Sequence, residues 1–416
     1  PEGAYQAFVL ARWACIPFSL VGAWVCFRWA RDLYGSGAGL LAMTLWCFCP
    51  NVIGHGQLIT PDVGAASLGA LAGYVFWRWL RAPDWGSAFL AGLGLGLAEL
   101  TKFTWIVLFL VWPIVWLIWR QPRPRTDVAG IPTGAAPATG ESSAPPARTR
   151  PREAMQLAVI LFLGLYLTNA GYGFEGSFKR LDDFDFVSPT LMGTASQEQD
   201  FQATGNRFRG TWAGAIPAPL PANYVLGIDL QKLDFDRGKW SYLGGQWRFG
   251  GWWLYYLYAM AVKVPLGTWL LACLAIAATL FARGYSASPR DEITLLAPAI
   301  AVLGVVSAET GFSHHMRYVL PAFPFVFIWI SKAARAFDLR HRGTAVFATM
   351  AFAWSVASSL SVFPHNLAYF NELAGGPANG HAHLLDSNID WGQDLFFLKR
   401  WLDVHPEARP IGLAYF

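Results

Sequence analysis

Ionisable residues that interrupt the apolar runs of this sequence concentrate in three short strings, HGQLITPD, AELTKF and ETGFSHHMRY. Their ionisable members are His55, Asp62, Glu99, Lys102, Glu309, His314, His315 and Arg317. Charged groups at membrane depth are costly and are either paired or functional. Cations there suit a phosphate or pyrophosphate group, and a nearby carboxylate suits a general base or a metal ligand. The combination favours an enzyme that acts on a lipid-linked phosphate.

Two of the acids also fit structural roles. Asp62 follows Pro61, where a carboxylate can cap the start of a helix. Glu99 and Lys102 are three residues apart, so on one helix they can pair with each other. Both alternatives stay open in the sequence.

The cations and histidines have alternatives of their own. Arg317 can reach the membrane interface as an anchor, and for Lys263 such snorkelling is the favoured interpretation. His314 and His315 are adjacent, and on a helix they would point about 100° apart. A His–His–Asp metal site is therefore the less favoured interpretation. We predict no metal-ligand set and no cofactor, with a divalent cation left open.

The composition excludes most soluble classes of protein. Of the 416 residues, 54% are apolar and 14% are charged, whereas a soluble domain has about 25% charged residues. A soluble globule, a disordered chain and a disulfide scaffold are excluded. The net charge of +4 is too small to indicate a nucleic-acid partner. The five cysteines lie inside apolar runs and are interpreted as small core residues.

Ten apolar segments approach the roughly 20 residues that a helix needs to cross a bilayer. We therefore predict an all-α polytopic membrane protein with about ten transmembrane helices. The predicted spans are 8–29, 38–58, 61–80, 86–101, 103–119, 154–170, 252–281, 293–308, 317–334 and 344–361. The 86–101 span is short and rich in glycine, so we expect it to pack closely against a neighbour.

Basic residues recur at every second junction between these spans. Because Lys and Arg favour cytoplasmic loops, we place these junctions in the cytoplasm and the intervening ones outside. The basic junctions contain Arg28, Arg31, Arg78, Arg81, Arg120, Arg123, Arg125, Arg283, Arg290, Lys332, Arg335, Arg340 and Arg342. The three strings with ionisable residues then all face the exterior.

The chain divides into four parts by composition. Residues 1–120 and 154–361 form the transmembrane core, the second part with an exterior loop at 171–251. Residues 121–153 are rich in proline and small residues, which predicts a flexible cytoplasmic linker. Residues 362–416 form an exterior segment. It and the 171–251 loop combine acidic with aromatic residues, so we expect partly folded elements there.

Several strings resemble family 39-type glycosyltransferases of the GT-C superfamily. Within 34–119 these are LYGSGAGLLAMTLWCFCPNVIGHGQLITPDVGA, YVFWRWLRAPDW and AGLGLGLAELTKFTW. At 313–326, SHHMRYVLPAFPFV resembles the family's later arginine-bearing span. At 364–402, PHNLAYFNELAGGPANGHAHLLDSNIDWGQDLFFLKRWL resembles an exterior segment of bacterial members.

The resemblance implies a GT-C-like helical bundle and a reaction. Members resemble protein O-mannosyltransferases and aminoarabinose transferases, which pass a sugar from a polyprenyl-phosphate carrier to an acceptor on the non-cytoplasmic side. We therefore expect a bacterial inner-membrane glycosyltransferase whose active site faces the periplasm. Its partners would be the polyprenyl-phosphate sugar donor, the lipid bilayer, and a protein or glycolipid acceptor.

The resemblance also assigns residues to roles. Asp62 matches the second exterior acid of the fold and is the predicted catalytic residue, while the principal acid is expected upstream of Pro1. Lys102 and Arg317 match cations that face the carrier phosphate. A fixed cation stabilises the negative charge that the leaving phosphate gains.

Further candidates come from their position near this end of the spans. His314 and His315 are predicted to join the phosphate-binding set. In DSNIDWGQDL, side-chain hydrogen bonds can hold a sugar on which Trp391 stacks. Equally, Ser387 and Asn388 can cap a helix on which Trp391 and Leu395 pack as an i, i+4 pair. The substrate-binding candidates are His55, Glu99, Asn388, Asp390 and Trp391.

Two other functions stay open. A transporter or flippase of a lipid-linked or anionic substrate would carry ionisable or unwound segments near the centres of its spans, whereas the charges here lie near one end. The other alternative is a catalytically inactive relative.

Overall fold

The computed structural model describes residues 2–121, 149–193, 204–281, 287–337 and 342–413. The α-helices in these ranges are α1 (Glu2–Trp13), α2 (Ile16–Tyr34), α3 (Ser36–Cys47), α4 (Pro50–Gly56), α5 (Asp62–Arg81), α6 (Trp85–Thr101), α7 (Leu108–Trp119), α8 (Thr149–Gly171), α9 (Pro189–Met192), α10 (Ala222–Arg237), α11 (Tyr255–Lys263), α12 (Leu266–Phe281), α13 (Pro289–Ala308), α14 (Phe323–Ile330), α15 (Arg342–Ser361) and α16 (Leu395–Val404). Short 3-10 helices span Phe103–Val107, Leu181–Asp183, Met316–Ala322, Ser331–Phe337, Asn366–Ala368, Glu372–Ala374, Pro377–Ala382, Asp386–Asn388 and Pro406–Ala408.

The predicted all-α polytopic membrane fold is confirmed, and all ten predicted spans lie on helical segments. Among the described residues, five such segments are long and apolar enough to cross a membrane: Val9–Tyr34, Arg150–Gly171, Pro289–Ala308, Met316–Ala336 and Arg342–Ser361. Two bent pairs of helices raise the number to seven. The segments at α5, α6 and Phe103–Trp119 fall short of these criteria by length or hydropathy.

Two predicted spans are broken rather than continuous. The helices α11 and α12 meet at 110°, and α3 and α4 meet at 54°. A proline disfavours helical backbone at the residue before it, and Val264 before Pro265 is extended, with φ −95° and ψ 135°. Cys49 before Pro50 is extended in the same way. The predicted spans 252–281 and 38–58 are therefore each interrupted by a bend before a proline.

Glycines of α6 let neighbouring helices approach closely. A Cβ atom at Gly92 would lie 2.7 Å from Leu163 Cβ of α8, and one at Gly96 would lie 2.6 Å from Leu167 Cβ. Small residues permit such close approach of helices in membranes. The close packing predicted for the 86–101 span is thus present.

The predicted exterior loop contains a short helix, α9, a longer helix, α10, and a β-hairpin. The strands β1 (Trp240–Leu243) and β2 (Gln246–Phe249) pair antiparallel, with Trp240 opposite Phe249. A small apolar cluster of Phe184, Phe186, Met192 and Ala218 forms a separate core in this loop. The hairpin is an addition to the predicted all-α architecture.

The predicted cytoplasmic junctions contact one another at one end of the bundle. Lys332 Nζ lies 2.7 Å from Glu292 Oε1, Arg290 donates to the Trp119 carbonyl at 2.7 Å, and Arg120 pairs with Glu153. The linker predicted at 121–153 falls mostly on residues 122–148, which lie outside the described residues.

Candidate active site

Asp62 lies buried in the first turn of α5, with 2% of its surface exposed. Pro61 occupies the N-cap position, and the Asp62 carboxylate is directed to a side chain instead of the helix backbone. Its Oδ1 accepts a hydrogen bond from Lys102 Nζ at 2.8 Å. This geometry favours an ion-pairing role for Asp62 over the helix-cap alternative.

Lys102 is placed by the end of α6. Its extended backbone, with φ −165° and ψ 129°, stops the helix and leads into the 3-10 helix Phe103–Val107. In that turn the buried indole of Trp105 donates a hydrogen bond to the Ala65 carbonyl of α5 at 3.0 Å. The turn that carries Lys102 is therefore tied to the helix that carries Asp62.

Arg317 approaches the same carboxylate from the 3-10 helix Met316–Ala322. Its Nη1 lies 3.6 Å from Asp62 Oδ2, and its guanidinium carbon lies 4.0 Å from the centroid of the Trp391 ring. The structure thus brings Asp62, Lys102 and Arg317 together from three separate elements. The interface-anchor alternative for Arg317 does not describe this geometry.

The group formed by Asp62, Lys102 and Arg317 is cationic. One carboxylate faces two cations, so one positive charge is left without a counter-charge within the group. The side chains of Lys102 and Arg317 are 17% and 15% exposed, whereas that of Asp62 is 2% exposed. The accessible part of the group is therefore positive, which suits an anion such as phosphate.

One cavity includes Lys102 of this cationic group in its lining, and a second is lined by the chain neighbours Pro61 and Thr101. A groove of 220 Å³ is lined by Lys102, Lys232, Glu309 and Tyr318 together with apolar side chains that include Phe103 and Ile228. A second cavity of 270 Å³ is lined by His55, Phe18 and Leu100 among others. His55 is 3% exposed, and its Nδ1 has no hydrogen-bond partner among the described residues.

The adjacent residues His314 and His315 lie in a loop instead of a helix. His315 has extended backbone, with φ −129° and ψ 108°, so the 100° helical separation assumed from the sequence does not apply. His315 Nδ1 lies 2.6 Å from Ser387 Oγ. Burial, followed by the charge of Arg317, lowers the pKa of His315 to about 3. At neutral pH this imidazole can therefore offer a phosphate a hydrogen bond but no charge.

The side chain of Asn388 forms hydrogen bonds to other groups of the protein. It is 2% exposed; its Oδ1 accepts from the Met316 N–H at 3.0 Å, and its Nδ2 donates to the Tyr255 hydroxyl at 3.0 Å and to the His314 carbonyl at 2.6 Å. These bonds position the loop before Arg317. They do not favour the sugar contact predicted for Asn388.

Lys263 is buried, which corrects the snorkelling interpretation. It is 1% exposed, and its ammonium donates to the Leu367 carbonyl at 2.8 Å and to the Asn388 carbonyl. The bend after α11 turns this side chain toward the protein interior instead of lipid. Lys263 therefore fastens the 362–390 segment to the membrane core.

Glu99 pairs with a tyrosine and not with Lys102. Its Oε2 accepts from the Tyr224 hydroxyl of α10 at 2.6 Å, while Lys102 pairs with Asp62. Glu99 is 3% exposed. It links the predicted exterior helix α10 to the membrane core, and the Glu99–Lys102 alternative is wrong.

The DSNIDWGQDL string does not cap a helix at Ser387. Asp386–Asn388 form a separate 3-10 turn, and α16 begins at Leu395 with Asp394 as its N-cap. Asp390 Oδ1 accepts from the Gly392 N–H at 3.1 Å. Trp391, 38% exposed, stacks on Arg317. The string therefore lines the site through Trp391, and the helix-cap alternative is wrong.

Two neighbours of the site, Tyr318 and Asp386, were not predicted from the sequence. The Tyr318 ring centroid lies 5.1 Å from Lys102 Nζ and 5.8 Å from the Arg317 guanidinium carbon. Asp386 lies beside both histidines. Tyr318 directly follows Arg317 in the sequence, but a tyrosine in an apolar string gives no signal of its own.

Comparison with known proteins supports the family resemblance. Residues 6–134 match the family model of dolichyl-phosphate-mannose-protein mannosyltransferases. This match confirms the predicted resemblance over that part of the chain, which contains Asp62 and Lys102 but not Arg317. No curated protein matched the chain.

One solved structure resembles the chain. The crystal structure of ArnT from Cupriavidus metallidurans bound to undecaprenyl phosphate is 14% identical, with a TM-score of 0.46. The alignment covers 89% of this chain and 60% of that chain, so this chain spans less than two thirds of its length.

Proposed function

We propose that this integral membrane protein is a glycosyltransferase of the mannosyltransferase type, which transfers a sugar from a polyprenyl-phosphate donor. The observation that carries the proposal is the convergence of Lys102 and Arg317 on Asp62, at 2.8 and 3.6 Å. Cations held at one place in an apolar bundle can bind a phosphate and stabilise the negative charge that it gains as it leaves. The family match over 6–134 supports the same reaction class.

In this proposal the groove beside Lys102 takes the lipid-linked end of the donor. Its apolar lining suits a polyprenyl chain, and Lys102 suits the phosphate. Lys232 in the same lining is already paired with Asp236 and Glu309. Asp62 then orients an acceptor hydroxyl or accepts its proton. Trp391, which stacks on Arg317, is placed to border the sugar.

The sidedness belongs to the proposal as well. The alternation of basic junctions puts Asp62, Lys102 and Arg317 on the non-cytoplasmic side. In a bacterial cell this side is the periplasmic face of the inner membrane. The acceptor would be a protein or a glycolipid that reaches this face.

One observation bears on the rival transporter function. The broken helix at Val264 carries the buried Lys263, a combination expected of a transport pathway. The ammonium of Lys263, however, is bound by the carbonyls of Leu367 and Asn388. It therefore supports the fold of the 362–390 segment, and the glycosyltransferase proposal is preferred.

The proposal is tested by measuring donor turnover by the variants Lys102→Met and Arg317→Met. The measurement uses membranes that contain the protein expressed from its complete gene. Each variant removes charge-assisted hydrogen bonds worth about 1.5–3 kcal/mol, so kcat/KM for polyprenyl-phosphate mannose should fall about 10- to 150-fold. Lys239→Met is the matched control, because Lys239 pairs with Asp234 and its side chain is 45% exposed. Turnover by Lys102→Met and Arg317→Met equal to that of the control would overturn the proposal.

A further inference from the structure

Two histidines and one aspartate from separate parts of the chain converge outside the Asp62 group. One nitrogen of each of His314 and His315 and one carboxylate oxygen of Asp386 all lie within 4.8 Å of one another. His314 Nδ1 is 4.0 Å from Asp386 Oδ2, and His315 Nδ1 is 3.9 Å from Asp386 Oδ1. About 70 residues of sequence separate the histidines from the aspartate, so the folded chain creates this cluster.

The orientation of His314 is fixed by a second contact. Its Nε2 lies 2.6 Å from the carbonyl oxygen of Trp240 in the β-hairpin. A carbonyl only accepts hydrogen bonds, so Nε2 carries the hydrogen, and in the neutral ring Nδ1 keeps its lone pair. That lone-pair nitrogen is the one that lies toward Asp386. Metal-binding histidines are oriented by the same arrangement, in which the distal N–H donates to a backbone carbonyl.

The Asp386 carboxylate is carried on left-handed backbone, with φ +60°. Aspartate and asparagine adopt this conformation more often than other residues that have a side chain.

We propose that His314, His315 and Asp386 bind one divalent transition-metal ion of the Zn²⁺ class. Two imidazole nitrogens and one carboxylate oxygen suit Zn²⁺ better than Mg²⁺ or Ca²⁺, which prefer oxygen ligands. Metal–ligand distances of about 2.0–2.2 Å place tetrahedral ligand atoms about 3.3–3.6 Å apart. Atoms that lie up to 4.8 Å from one another must therefore close by as much as about 1.4 Å. Three protein ligands leave one position of a tetrahedral site for water or a substrate oxygen.

The site borders the Asp62 group without sharing its residues. The rings of His315 and Trp391 are 5.7 Å apart, and Trp391 stacks on Arg317. An ion at this position would lie one aromatic side chain away from the phosphate-binding cations. The inference rests on the cluster itself and not on the proposed sugar transfer.

The experiment is metal binding by the purified, EDTA-treated full chain in detergent, without any sugar donor. Titration with Zn²⁺ by calorimetry should give one ion per chain, and Co²⁺ should give visible absorption bands of a site with nitrogen ligands. His314→Ala and Asp386→Asn should weaken Zn²⁺ binding by more than about a hundredfold, since loss of an outer-shell partner alone costs about 10- to 100-fold. His381→Ala is the control, because His381 is exposed and outside the cluster.

Asp386→Asn keeps the test decisive if His314→Ala fails to fold. The Asp386 side chain is 42% exposed, and asparagine adopts positive φ readily, so this variant removes the charge with little change of shape. Absence of Zn²⁺ binding in the unaltered protein, or equal binding in Asp386→Asn and His381→Ala, would overturn the inference. Because no donor is present, neither result depends on the proposed glycosyltransferase activity.

Discussion

Asp62 balances two opposing demands at the scale of single residues. Its carboxylate holds Lys102 and Arg317 in place, yet a bound phosphate would compete for the same cations. Removing one member of a buried ion pair leaves the partner charge uncompensated and costs about 3–5 kcal/mol. The structural and the catalytic role of Asp62 therefore need separate measurements.

For Asp62→Asn we expect a lower melting temperature, because Lys102 and Arg317 then face each other without a counter-charge. We also expect turnover to fall about a hundredfold or more, since the general base or orienting charge is lost. Melting followed by tryptophan fluorescence and donor turnover would measure the two effects.

Asp62→Glu separates the two effects, because it keeps the negative charge. It should lose less stability than Asp62→Asn but still turn over at least tenfold more slowly, since a displacement of about 1 Å can cost a hundredfold in rate. Full activity in Asp62→Asn would leave Asp62 as a structural residue.

At the scale of elements, the fit between α5 and the turn after α6 sets the position of Lys102. Trp105 follows Lys102 by three residues and packs its indole over Gly69 of α5, where a Cβ atom would overlap the ring. The indole also donates to the Ala65 carbonyl at 3.0 Å. A substitution at Gly69 should therefore displace Lys102 without direct contact between the two residues.

Gly69→Ala should destabilise the protein by about 1–3 kcal/mol, the usual cost of overpacking, and lower donor turnover by displacing Lys102. Gly64→Ala in the same helix is the matched control, because its Cβ would meet Phe18 at an ordinary 3.6 Å. Alanine also favours a helix over glycine by about 1 kcal/mol. Thermal melting and turnover of both variants would test this, and equal stability of the two would contradict the packing argument.

The sequence predicted elements better than contacts. Hydropathy placed all ten predicted spans on helical segments, of which five to seven are long and apolar enough to cross a membrane. The 110° bend at Val264–Pro265 and the burial of Lys263 were missed, because one proline in an apolar run does not give the direction of the following helix. The partners of Glu99 and Asp386 were missed because they come from distant parts of the chain.

Across the whole molecule, ion pairs and side-chain hydrogen bonds separate into two groups. The predicted cytoplasmic junctions contact each other through Lys332–Glu292 and Arg81–Asp291. The predicted exterior parts contact each other through Tyr224–Glu99 and through the hairpin, whose Tyr242 hydroxyl donates to the Ala382 carbonyl at 3.3 Å. These contacts agree with the alternation of basic junctions. They support a single orientation of the whole bundle in the membrane.

The sidedness predicts which engineered cysteines react in intact cells. With the five native cysteines replaced by alanine, Ala378→Cys, at an exposed position of the predicted exterior segment, should react with a membrane-impermeant maleimide. Ser143→Cys in the predicted cytoplasmic linker should react only after permeabilisation, because the bilayer excludes the charged reagent. Labelling of both after permeabilisation controls for reactivity. Equal labelling of the two in intact cells would contradict the topology and, with it, the periplasmic placement of Asp62, Lys102 and Arg317.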